Sequence, residues 1–263
     1  MTSLLLVLGL TISAPSDTTV SVARGTHLVV ETPSGDVSVR VWERDAVRIE
    51  GRPSLELARE GSRLRLVDRD DEEGSRRIEA TLTVPVWMDL TVQALSGDVR
   101  LTGTRGRVEV LAVSGEIVAT DVAGQVELVT LGGDIRVRGA SGSARLQSTG
   151  GSLEMSGMAV TELSAETTDG DVEFEGRVPR GARLRLATHD GDVTALIPES
   201  TEAEVSVATF DGSFEPGFPV RATRVRAGQP TTFVLGGGGA TLDIRAFDGD
   251  IRLLHTGTLN PLT

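Results

Sequence analysis

The chain has 263 residues, a formal net charge of −12, 39% apolar residues with only 3% aromatic, 31 Gly and no Cys. So acidic a chain offers no basic face for phosphate contacts and few rings for base stacking, which argues against nucleic acid and anionic membranes as partners. Without Cys there are no disulfides, thiolate metal sites or cysteine nucleophiles, and a composition rich in Gly, Val and Leu is one of strands and turns.

Residues 1–15 read as a signal peptide. Leu4 to Ile12 is a nine-residue apolar run followed by the small residues Ser13 and Ala14, although positions 2–12 lack the usual basic residue. The run is too short to span a bilayer, and no later segment could cross one as a helix. The expectation is an exported protein, in the periplasm, on the surface or in the medium. Residues 18–90 alternate in short strand-like runs such as Val37 to Val41 and Ile78 to Val84. They are separated by turns such as Ser34-Gly35-Asp36 and by the charged stretch Asp68 to Arg77, a solvated loop. This segment is expected to form an N-terminal β cap that covers an open strand edge.

From 91 to 255 the chain repeats. Gly97, Gly106, Gly115, Gly124, Gly133, Gly142 and Gly151 follow one another at intervals of nine. Apolar residues recur two, four and seven positions after each, as in Ile117, Ala119 and Val122, or Val126, Leu128 and Leu131. The same columns hold Val108, Val110 and Val113. Period-two spacing makes a strand, and the Gly supplies a corner. Alternate glycines are followed by an acid (Asp98, Glu116, Asp134), so one rung is two nonapeptides, lengthening to 18–21 residues toward Gly170, Gly191 and Gly212. The fold predicted is an all-β, parallel β-solenoid of about eight rungs, two-faced rather than three-sided, with 256–263 as a tail. Outward positions such as Arg100, Glu109, Glu127, Arg136, Arg145 and Glu154 predict a charged, soluble surface.

The early Thr32-Pro33-Ser34-Gly35-Asp36-Val37 turn before Val41-Trp42, Val84-Pro85 before Leu90 to Val92, and the recurring Ser-Gly-Asp-Val and Asp-Gly-Asp-Val turns resemble the bacterial family called "putative adhesin". This is a domain of unknown function made of β-strand repeats. The resemblance spans about residues 20–255. It implies an exported or envelope-associated solenoid and transfers no catalytic residue.

The acidic turns are the sharpest candidate for chemistry. One column holds Asp98, Glu116, Asp134, Asp171, Asp192 and Asp250, and a second holds Asp169, Asp190, Asp211 and Asp248. Carboxylates one rung apart repel by about 0.9 kcal/mol in water and about 3.5 at an effective dielectric of 20. A cation would relieve that, which makes Asp169, Asp171, Asp190, Asp192, Asp248 and Asp250 calcium candidates. The G-G-x-G-x-D loop of calcium β-rolls is absent, however, and Asp beside Gly is ordinary turn chemistry. His27, His189 and His255 share no metal spacing, no G-x-S-x-G elbow occurs, and Trp42 and Trp87 are expected to pack in the cap. Gly236 to Gly239 lacks the G-K-[ST] ending of a phosphate loop and reads as a turning connection.

The function expected is a non-catalytic, adhesin-like binding or assembly module of the envelope, its partner a protein or an envelope glycan. A structural spacer or self-associating scaffold is the alternative. A carbohydrate-active enzyme, requiring two carboxylates in a cleft beside an exposed aromatic, ranks behind both.

Overall fold

The computed structural model describes residues 10–13, 17–51, 55–68, 79–219 and 229–256. Its strands in chain order are β1 (Leu10–Ser13), β2 (Asp17–Ser21), β3 (His27–Thr32), β4 (Asp36–Trp42), β5 (Ala46–Glu50), β6 (Leu55–Glu60), β7 (Arg63–Asp68) and β8 (Glu79–Pro85). There follow β9 (Asp89–Ser96), β10 (Val99–Thr102), β11 (Val108–Ser114), and the long β12 (Ile117–Gly132), β13 (Ile135–Ser148) and β14 (Leu153–Asp169). The last are β15 (Val172–Gly176), β16 (Arg183–Asp190), β17 (Val193–Ile197), β18 (Ala203–Asp211), β19 (Phe214–Pro216), β20 (Thr231–Leu235), β21 (Ala240–Asp248) and β22 (Ile251–His255).

Each coil is a strand that enters a corner and a strand that leaves it, with a Gly at every such corner among the described residues. The entering strands stack in parallel as β7, β3, β9, β11, the second halves of β12, β13 and β14, then β16, β21 and β18. The leaving strands stack as β8, β4, β10, the first halves of β12, β13 and β14, then β15, β17, β22 and β19. This is the parallel β-solenoid read from the repeat. Eight coils come from 91–255, and β3/β4 and β7/β8 add two more from the segment expected to be a separate cap. Those two coils share both faces with the repeat, and β2, β5, β6 and β1 add antiparallel strands beyond them.

Both ends depart from chain order. β3/β4 lies inside β7/β8, and β21/β22 is inserted between β16/β17 and β18/β19. The spacing of 37 between Gly212 and Gly249 therefore holds a return strand, β20, antiparallel to β18, which covers part of the last edge. The leaving face ends on Pro216, which has no N–H to offer a further strand.

One apolar core runs between the faces. Val99, Leu101, Ile117, Ala119, Ile135, Val137, Leu153 and Met155 are at most 2% exposed, as period two requires. The opposite corner, which holds Gly106, Gly124 and Gly142, buries Val122, Ala140 and Met158. Three proline turns open the return there, with Met88, Ala182 and Thr201 N–H groups donating to the carbonyls of Pro85, Pro179 and Pro198. Residues 1–9 and 14–15 of the expected leader, 69–77 of the charged loop and 257–263 of the tail lie outside the described residues.

Candidate functional site

The Gly corner organises the surface. A Cβ on Gly97 would overlap the carbonyl oxygen of Gly35, one on Gly115 that of Gly97, one on Gly133 that of Gly115, and so on to Gly212 against Gly249. The corners thus stack too closely for any side chain. The residue three before each corner Gly turns into the core and is Thr, Ser or Ala. Ser148, Thr167, Thr188 and Thr209 donate their hydroxyls to the carbonyls of Gly133, Gly151, Gly170 and Gly249 at 2.8–3.0 Å.

The residue after the corner Gly is an acid except at Ser152 and Ser213, and most of these carboxylates are already engaged. Oδ1 of Asp36, Asp98, Asp134, Asp171 and Asp192 accepts the backbone N–H of the matching residue one coil on, at 2.8–3.0 Å. Asp250 accepts both the N–H and the hydroxyl of Ser213, and these bonds hold its carboxyl below the ordinary value of 3.8. An ionised acceptor that bonds two donors is favoured in its charged form. The calcium candidates therefore split into two rows. Asp171, Asp192 and Asp250 satisfy corner N–H groups, and Asp192 also meets Arg252 at 2.9 Å. Asp169, Asp190 and Asp248 stand in register on the exposed side of the Gly, with Asp211 beyond them. Among the described residues no three His, Asp or Glu side chains converge as a metal group.

The leaving face is a charged surface with a shallow groove of about 400 Å³ floored by Val137, Met155 and Phe174. At its edge Arg136 bridges Glu116, Glu154 and Asp134. On the entering face Arg185 bridges Glu166 and Asp243. Trp42 and Trp87 are half-buried near the N-terminal end, their Nε1–H groups donating to the Ala46 carbonyl and the Asp45 carboxylate. His27 hydrogen-bonds Thr91, and His255 packs edge-on to Phe218.

The feature that sequence reasoning missed is a ridge two positions before the corner Gly of each of the eight coils of 91–255. Along the stack it reads Leu95, Val113, Leu131, Thr149, Thr168, His189, Phe247 and Phe210. All eight are exposed. Leu95 and Leu131 leave 59% and 57% of their surface in water, and Phe210 leaves 56%. Val113 and Leu131, aligned in the repeat with buried columns, in fact point outward. The strand's alternation continues to the residue before them, so Ala112 and Thr130 take the inward place. Counting back from alternate glycines alone (Gly97, Gly115, Gly133, Gly151 and their later equivalents), instead of forward from every Gly, separates the two corners and reveals the row. At its C-terminal end the His189 ring stacks on Phe247 at 4.7 Å and Phe247 on Phe210 at 4.9 Å. At the other end Leu95, Leu111, Val113 and Pro33 line an open apolar groove of about 520 Å³.

A solved structure resembles this fold. A putative adhesin from Bacteroides fragilis NCTC 9343 matches with a TM-score of 0.53 at 14% identity, over 94% of this chain and 97% of that one. A putative cell adhesion protein from Clostridium sporogenes ATCC 15579 aligns over 92% and 100%, at 10% identity and a TM-score of 0.29. No curated protein matches the sequence. The Toastrack DUF4097 family model matches residues 7–254, nearly every coil described above, and the chain belongs to that family.

Proposed function

We propose that this chain is a non-catalytic, exported, adhesin-like module of the bacterial envelope and that the ridge is its contact surface. The observation that carries the reading is the row of exposed apolar side chains. Five of the seven large apolar side chains left in water among the described residues fall on this one line, and such a line marks an interaction site. The adhesin description of the Bacteroides fragilis relative points the same way. Most corner carboxylates accept backbone N–H bonds, and the acids beside the exposed rings, Asp190, Asp248 and Asp211, stand in a row on an exposed edge and line neither groove described above. This arrangement favours binding over glycoside hydrolysis, which needs two carboxylates about 5–9.5 Å apart around one bond. The partner class is a protein or an envelope glycan.

The test is retention of the purified chain on envelope fractions, with wild type compared to Phe247→Asp and Leu131→Glu. Both substitutions lie on the surface and leave the melting temperature within a few degrees. The expected result is loss of retention in both. Equal retention of all three, or release of sugar from the envelope, refutes the reading.

A further inference from the structure

Resting on the reading of the ridge as contact surface, we infer that its partner is a second copy of this chain, packed antiparallel about a twofold axis between Thr149 and Thr168. The order of residues carries this. An axis there sets Leu95 opposite Phe210, Val113 opposite Phe247, Leu131 opposite His189, and Thr149 opposite Thr168. Three aliphatic positions thus meet three stacked rings, twice over, and the two threonines meet at the centre. A twofold interface requires this self-complementarity.

The groove agrees with that register. It is the aliphatic end, lined by Pro33, Leu95, Leu111 and Val113, that is hollow, and the axis brings the partner's exposed Phe210 and Phe247 rings to its rim. The aromatic end supplies the protruding half and the aliphatic end the receiving half.

Charge fixes the direction. The column beside the ridge is Ser96, Ser114, Gly132 and Gly150 at the aliphatic end and Asp169, Asp190, Asp248 and Asp211 at the aromatic end. Antiparallel packing sets Asp211 by Ser96, Asp248 by Ser114, Asp190 by Gly132 and Asp169 by Gly150. Parallel packing would instead bring both four-Asp ends together, and like charges across an interface disfavour it. Seven coil spacings of about 4.8 Å and a width of about four residues give an interface of about 900 Å² in total, in the size range of transient complexes. Area does not fix affinity, so the association is followed over about 10–200 µM, where weak complexes of this size class form.

Sedimentation equilibrium of the purified chain over that range should show the mass doubling, and Phe247→Asp should abolish it. With no native Cys, introduced thiols report the register. Leu95→Cys mixed with Phe210→Cys should give a disulfide-linked dimer under mild oxidation, while either variant alone should stay uncrosslinked. A wild-type chain that stays monomeric, an undiminished dimer in Phe247→Asp, or self-crosslinking of Leu95→Cys overturns the inference. Envelope retention measured at submicromolar concentration, where the chain is monomeric, judges the ridge separately. Retention lost in Phe247→Asp with a monomeric wild type upholds the proposed function and eliminates the second copy.

Discussion

Gly132 and Gly133 are neighbours, yet replacing each by Ala should have opposite consequences. Neither has a left-handed backbone that would itself penalise a side chain. A Cβ on Gly132 would find only the Val113 carbonyl oxygen, at an ordinary 3.7 Å, whereas one on Gly133 would overlap the carbonyl of Gly115. Relieving that overlap means moving two coils apart where the Ile117 N–H donates to the Asp134 carbonyl at 2.9 Å and where Ile117 and Ile135 are fully buried. Breaking or stretching two ladder bonds at about 1–3 kcal/mol each gives a loss of about 2–6 kcal/mol. At about 2–4 °C per kcal/mol for a chain of this size, Gly133→Ala should melt about 4–24 °C lower. Gly132→Ala should be neutral or gain up to about 1 kcal/mol through the unfolded state. Thermal unfolding followed by circular dichroism at a few scan rates separates them. Equal melting temperatures for the two variants would show that the corners do not stack as described.

Thr167→Val should cost about 1 kcal/mol, because its buried hydroxyl donates to the Gly151 carbonyl at 2.8 Å, while Thr130→Val should be neutral or stabilising, because its buried hydroxyl has no partner; urea unfolding midpoints compare them. Asp250 has its folded pKa lowered below 3.8 by the Ser213 N–H and hydroxyl. Its contribution is thus present above about pH 4 and lost as pH falls through the depressed folded value, and Asp250→Asn should flatten the fall in melting temperature between neutral pH and about pH 3. If the corner acids serve as backbone acceptors, millimolar calcium and a chelator should give melting temperatures within about 1 °C of each other. A saturating rise specific to calcium would show a metal site, and the exposed row Asp169, Asp190 and Asp248 would be the place to substitute first.

Much of the molecule was legible without coordinates. Nine-residue spacing of Gly97 to Gly151 and period-two apolar columns set the strand, the corner and the two-strand coil, because side-chain alternation and the steric demand of a corner act within a few residues. The turn role of Asp134 and Asp192 was likewise local chemistry, and the structure adds the acceptor bond to the next coil. Leu131 and Val113 were misplaced because both corners present an apolar residue at the same distance from a Gly, and only burial tells which side of the strand it occupies. The insertion of β21/β22 inside β18/β19, and the stacking of His189, Phe247 and Phe210 that follows from it, rest on which coil edge the returning chain pairs with. The repeat by itself determined what one coil is. The order in which coils stack, and so which side chains form a continuous surface, depends on pairing between strands distant in sequence, where every coil offers the same hydrogen-bonding edge, and only the tertiary structure decided it.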